Sequence, residues 1–132
     1  MSLQIGQEFE TISFVGGDFQ QLEFFIKDTE SDDPVDLSTF EEVRWILFRY
    51  GDPNNPILNL NGEVVASNTS IFNVYLESDL TKNLGGGLYV HQPALIDSKG
   101  KEFRPGQGHI NIMPRGNGEN SEYIQQNSSK DA

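Results

Sequence analysis

Apolar and polar residues alternate along most of this chain, in short bursts. Between Phe19 and Asp28, Leu22, Phe24 and Ile26 fall on one face while Gln21, Glu23, Phe25 and Lys27 fall on the other. A period of two is the pattern of a half-buried strand. The stretch from Glu42 to Tyr50 is the strongest of these bursts. Val43, Trp45 and Leu47 share one face; Arg44, Ile46, Phe48 and Tyr50 share the other. Apolar side chains on both faces predict a central strand, covered at least in part on both sides. Further strands are predicted from Glu8 to Val15, on each side of Asn61-Gly62, and from Ser70 to Leu76. Two more are predicted from Gly87 to Asp97 and from Lys101 to Met113.

Turn residues separate these bursts. Gly16-Gly17-Asp18, the loop closed by Pro34, the stretch from Gly51 to Pro56, Asn68-Thr69-Ser70 and the stretch from Asp97 to Gly100 all break the alternation. Asn61-Gly62 between apolar runs predicts a hairpin. Pro93 interrupts its strand, which predicts an edge position or a bulge. The period changes once. Leu80 and Leu84 stand four apart after Ser78, which predicts one short helical turn near residues 78–84 with Ser78 as its cap.

The pattern predicts an all-β fold: an immunoglobulin-like antiparallel β-sandwich of about seven or eight strands over residues 1–113. From Arg115 to Ala132 only Tyr123 and Ile124 are large and apolar. Residues 114–132 are therefore expected to form a polar tail, flexible or ordered by a partner. Whether residues 1–14 pair within the domain or with another copy is open at this stage.

Composition narrows the function. The 132 residues suit one domain, and the absence of cysteine removes thiol nucleophiles, disulfides and thiolate metal sites together. Nine basic residues against twenty acidic ones give a net charge of -11. Such a surface repels phosphate backbones and anionic lipid, so neither nucleic acid nor membrane is an expected partner. No apolar run approaches the roughly 20 residues that span a bilayer. The start, MSLQIGQEFE, has neither a basic nor an apolar leader region, so no signal peptide is expected.

Candidate chemistry is sparse. The glycines of LGGGLYV and RPGQGHINI either cradle a phosphate or let the chain turn. A phosphate loop needs G-x-x-x-x-G-K-[ST], but Gly100-Lys101 is followed by Glu102 and Leu95 stands at the first glycine position. Gly106-x-Gly108 runs on to Asn111 within a strand, so it is not a dinucleotide loop either. Turning is the expected use, with a positive φ in Gly85–Gly87 and Leu84 and Leu88 anchoring the two ends.

Asp28, Glu30, Asp32 and Asp33 crowd one loop, where a calcium ion would relieve their repulsion; the alternative is a solvated loop. Asp33 and Thr39 stand where an EF-hand needs Gly and Glu. His91 and His109 lack a third ligand at zinc spacing and are expected on the surface or rim. There is no G-x-S-x-G elbow. No cofactor, metal or catalytic residue is assigned, and the chain is expected not to be an enzyme. The remaining signal is aromatic. Tyr50, Tyr75 and Tyr89 alternate with core positions and are candidate partner contacts. Phe25 and Phe48 do too, but are expected to be covered by a second sheet or loop.

The order of motifs resembles one family. Gly17-Asp18-Phe19, then Leu22, Phe24 and Ile26, then Lys27-Asp28, Pro34-Val35-Asp36-Leu37-Ser38 and Val43-x-Trp45-x-Leu47 are similar to the N-terminal immunoglobulin-like domain of phage baseplate upper proteins and related tail proteins. Phe72-x-Val74-x-Leu76, Asp79-Leu80, Leu84, Gly87-Leu88-Tyr89, Asp97-x-x-Gly100-Lys101 and Gly108-x-Ile110-x-Ile112 continue the match, which spans Val15 to Met113. The resemblance implies a phage or prophage structural protein, assembled into the virion in the bacterial cytoplasm. Its partners would be other tail or baseplate proteins, with a homo-oligomer possible. Trp45, Leu37, Gly87 and Gly108 would be structural positions. A carbohydrate-binding module using the surface tyrosines is the alternative.

Overall fold

The computed structural model describes residues 7–116. Its strands are β1 (Gln7–Glu8), β2 (Ile12–Val15), β3 (Gln20–Phe25), β4 (Glu42–Arg49), β5 (Leu58–Asn61), β6 (Glu63–Val64), β7 (Ile71–Leu76), β8 (Gly87–Ile96), β9 (Glu102–Phe103) and β10 (Gly106–Met113). They form two sheets. The larger has the order β1-β10-β8-β4-β5, with β2 also on β10 and β9 on β8; the smaller has the order β3-β7-β6. The chain is an immunoglobulin-like β-sandwich.

The core lies between the sheets. Trp45, Leu47, Tyr89, Leu95, Ile110 and Ile112 from one side meet Leu22, Phe24, Phe72, Val74 and Leu76 from the other, all buried. Alternation on β3, β4 and β7 places these residues where the period of two predicts. β4 is central as expected, between β8 and β5. Its outward residues Ile46 and Phe48 are buried with Val90 and Ala94 in a second cluster. Leu37 is fully buried at the sandwich end. The 3-10 turn that carries it, Leu37–Thr39, is held by Asp36, whose carboxylate accepts from the Ser38 backbone N (3.1 Å) and hydroxyl (2.6 Å). Hydrogen bonds from the Ser38 and Thr69 side chains hold that carboxyl below the usual carboxylate range.

Four local expectations are corrected or narrowed. Asn61-Gly62 is not a hairpin: β5 belongs to the large sheet and β6 to the small one, so the chain crosses between sheets there. A Cβ at residue 62 would stand 2.5 Å from Phe72 Cδ2 and 3.0 Å from Val43 Cγ1, so glycine is needed where the crossing grazes the core. Pro93 is not on an edge strand; the irregularity it marks lies across from it, where three residues of β8 (92–94) face four (104–107). Pro93 pairs with Trp45 on β4, and its other side falls in the gap between the β10 ladder, ending at His91, and the β9 ladder, starting at Leu95. The missing N–H therefore interrupts no ladder on that side. The helical turn α1 (Ser78–Thr81) starts at Ser78 rather than being capped by it; Glu77 holds the cap position with no side-chain bond. The sandwich is also not wholly antiparallel, because β1 and β2 both run parallel to β10. That pairing places residues 7–8 and 12–15 within the domain.

The triple glycine turns as expected. Gly87 has φ +146, and a Cβ at Gly86 would stand 2.9 Å from Pro114 Cδ. Leu88 is 43% exposed, so Tyr89, fully buried, anchors that end instead. Of the expected tail, Pro114 packs on Gly86 and Arg115 pairs with Asp18 at 2.6 Å; residues 117–132 lie outside the described residues.

Gly62→Ala should lower stability by about 1–3 kcal/mol through overpacking. A urea melt should show a lower midpoint with an unchanged slope.

Candidate functional site

The sequence-predicted residues do not converge on one site. Tyr89 is fully buried, with its hydroxyl donating to Gly85 O at 2.5 Å and Arg49 stacked on its ring at 5.1 Å. It faces the core because His91 and Tyr89 share a face of β8, so its expected surface role is corrected. Tyr50 is 64% exposed beside His109 (ring centroids 6.0 Å apart), on the outer face of the large sheet. Tyr75 is 38% exposed on the outer face of the small sheet, which also carries Phe25. The three tyrosines therefore share no platform. Phe48 is covered as expected, but Phe25 is 42% exposed.

The acidic loop is a set of local turns. Asp28 Oδ1 accepts from Glu30 N (2.9 Å) and Ser31 N (3.3 Å), and Asp32, at φ 62, pairs with Lys27 at 2.8 Å. Among the described residues no three His, Asp or Glu side chains stand close enough to hold a metal ion. Asp28, Glu30, Asp32 and Asp33 are thus not gathered around a common point. No helix among the described residues is long and apolar enough to cross a membrane.

His91 corrects a further expectation, because it is fully buried rather than at the rim. Trp45 Nε1 donates to its Nδ1 at 3.0 Å. An indole N–H only donates, so Nδ1 is the acceptor and the neutral ring carries its proton on Nε2. Nε2 has no hydrogen-bond partner. It lies against Gly108, where a Cβ would stand 2.6 Å away, and the imidazole is ringed by Phe9, Phe24 and Trp45 at centroid distances of 5.8, 5.2 and 5.7 Å. Burial, and secondarily the charge of His109, pulls its pKa from 6.5 to about 4. Protonation would also turn Nδ1 into a donor facing the Trp45 donor.

The surface feature best suited to contact is one the sequence did not reveal. A groove of about 380 Å³ lies where the N-terminal segment passes β3, lined by Glu8, Glu10, Ile12, Glu23 and Phe25 among others. Gln7 bridges its end: Nε2 donates to Phe25 O (2.7 Å) and Oε1 accepts from Lys27 N (3.2 Å). The pairing register slips by one residue between β1 and β2, and the intervening Phe9 packs into the core against Phe24, 5.2 Å between centroids. The only sequence signal for this groove was the polar face of β3. The meeting of residues 8–12 with 23–25 depends on the parallel pairing to β10.

No family model matches the chain, and no curated protein does. Among solved structures it is similar to CopC from Methylosinus trichosporium OB3b, at 12% identity and TM-score 0.45, covering 81% of this chain and 87% of that one. It is also similar to the catalytic module of the multi-modular glycogen-degrading pneumococcal virulence factor SpuA (16%, TM-score 0.44) and to the Group B Streptococcus pullulanase SAP (15%, TM-score 0.45). Each of these two covers 79% of this chain, which spans 12% and 11% of their respective lengths. The sandwich assignment rests on the strand pairing described above.

His91 sets an acid limit on stability. A depressed folded pKa means the unfolded chain binds the extra proton first. The His91 contribution is therefore complete above about pH 6.5, declines as pH falls, and is lost below about pH 4. The full loss is about 3 kcal/mol. Chemical denaturation followed by Trp45 fluorescence should show this fall, and His91→Gln, which keeps an acceptor for the indole, should flatten it in that window.

Proposed function

We propose that this chain is a non-enzymatic structural module of a phage or prophage tail, working by docking onto neighbouring tail or baseplate proteins. The observation that carries the reading is the ordered run of motifs from Gly17 to Ile112 similar to the baseplate upper protein's N-terminal domain. The positions those motifs occupy support it. Leu22, Phe24, Leu37, Trp45, Phe72 and Val74 are core residues, so the resemblance is carried by the side chains that shape the sandwich.

The surface supports docking as well. Phe19, Phe25, Tyr50, Tyr75, Leu88 and Met113 are all at least 38% exposed, spread over both outer faces and the sandwich ends. Exposed aromatic side chains beside polar neighbours are the composition of contact surfaces. A module that joins several neighbours needs contacts on more than one side, which a single sugar-stacking platform does not.

Co-expression with the products of adjacent tail genes should yield a stable complex by size-exclusion chromatography with light scattering. A strict monomer at high concentration that binds none of those products would overturn the docking role.

A further inference from the structure

Among the described residues, the β3 edge of the small sheet is open beside the acidic groove. Just past β3, Ile26 N donates to Ser70 O at 2.9 Å, which sets the alternation so that Leu22 and Phe24 turn their backbone groups toward β7. By alternation the N–H and C=O of Gln21 and Glu23 point outward, and among the described residues they have no hydrogen-bond partner. The same edge is occupied two residues further on. There the Gln7 side chain donates to Phe25 O and accepts from Lys27 N. Giving to one residue and taking from the next but one is what a neighbouring strand's backbone does in a ladder. The edge thus already holds a strand-like amide, and just beyond it no described residue pairs with it.

The surroundings have a definite chemistry. Glu8, Glu10 and Glu23 line the groove, and none of them is ion-paired among the described residues. Ile12 and the half-exposed Phe25 supply apolar surface between them.

We propose that the free edge of β3 binds an extended segment of a partner protein as an added strand beside Gln21–Phe25. Its Lys or Arg side chains face Glu8, Glu10 and Glu23, with apolar side chains between. The inference rests on the docking function proposed above and assigns it a surface and a partner chemistry. Charge selects the occupant. A second copy of this chain brings its own net charge of -11 to an acidic groove, whereas a basic segment neutralises it. Main-chain bonds supply the affinity and alternate side chains the selectivity, the usual division in strand addition.

The test uses the 15N-labelled chain and a capped heptapeptide of alternating Lys and Val. The amides of Gln21, Glu23 and Phe25 should shift and gain exchange protection. An alternating Glu-Val peptide should leave them unmoved. Glu23→Lys, on an exposed position, should weaken the Lys-Val peptide roughly fivefold to tenfold. Backbone N-methylation of the peptide, which keeps its charges, should abolish binding. No shift at millimolar peptide, shifts confined to other residues, or binding that survives N-methylation each overturn the proposal. If a tail protein binds without perturbing these three amides, the edge assignment falls and docking stands. If the peptide binds and no tail protein does, docking falls and the edge assignment stands.

Discussion

The buried indole N–H of Trp45 constrains more of this molecule than any other single group. It lies on a central strand with no exposed surface and can only donate. An unmet donor there would cost roughly 1–3 kcal/mol. His91, diagonal to it across the β4–β8 ladder, meets the need at 3.0 Å and is thereby fixed as a neutral ring with its proton on Nε2. That choice moves the burden one step outward. Nε2 now faces Gly108, where no Cβ fits, and Phe9, which covers it. Phe9 can reach only if the N-terminal segment leaves the β10 ladder and rejoins it one residue out of register. The indole, the imidazole it fixes, the glycine in the last strand and Phe9 from the first strands thus form one contiguous contact chain.

What the sequence made legible was what alternation encodes directly. The faces of β3, β4 and β7, the burial of Trp45 and Leu37, and the turning role of Gly87 are local properties, and local patterning predicted them. What it left out depends on partners distant in the chain. Asn61-Gly62 reads as a hairpin because both flanks are apolar, yet the two flanks pair with different sheets. Pro93 reads as an edge or a bulge because a proline lacks an N–H; only the placement of β9 and β10 shows that nothing needs that N–H on one side. His91 and Tyr89 read as surface because their types are polar or amphipathic. Each finds a specific partner, the buried Trp45 indole for His91 and, at the core's margin, Gly85 O for the Tyr89 hydroxyl. The groove was invisible for the same reason, since its two walls are separated by ten or more residues and meet only through β10.

The large sheet treats its own open edge differently. β5 is short, and Arg44 lies across it, donating to Asn59 Oδ1 (2.9 Å), to the Asn59 backbone O (3.0 Å) and to the side chain of Asn61. A short edge crossed by a charged side chain is a poor template for another strand. β3 is longer, is plugged at only one end by Gln7, and carries Glu23 facing outward. The two edges are therefore unequal. One is short and crossed by Arg44; the other is plugged at one end by Gln7 and flanked beyond it by carboxylates.

Guarding by charge is selective in a way that blunting is not. A blunted edge refuses every strand, whereas an acidic edge refuses acidic ones and admits basic ones. The excess of acidic residues, which taken alone argues only for solubility, acquires a second role at β3. Under the strand-addition proposal, like charge disfavours a second copy beside the backbone groups of Gln21 and Glu23. The same charge lowers the barrier for a segment of opposite sign. Under that proposal the charge that disfavours a second copy also names the chemistry that closes the edge.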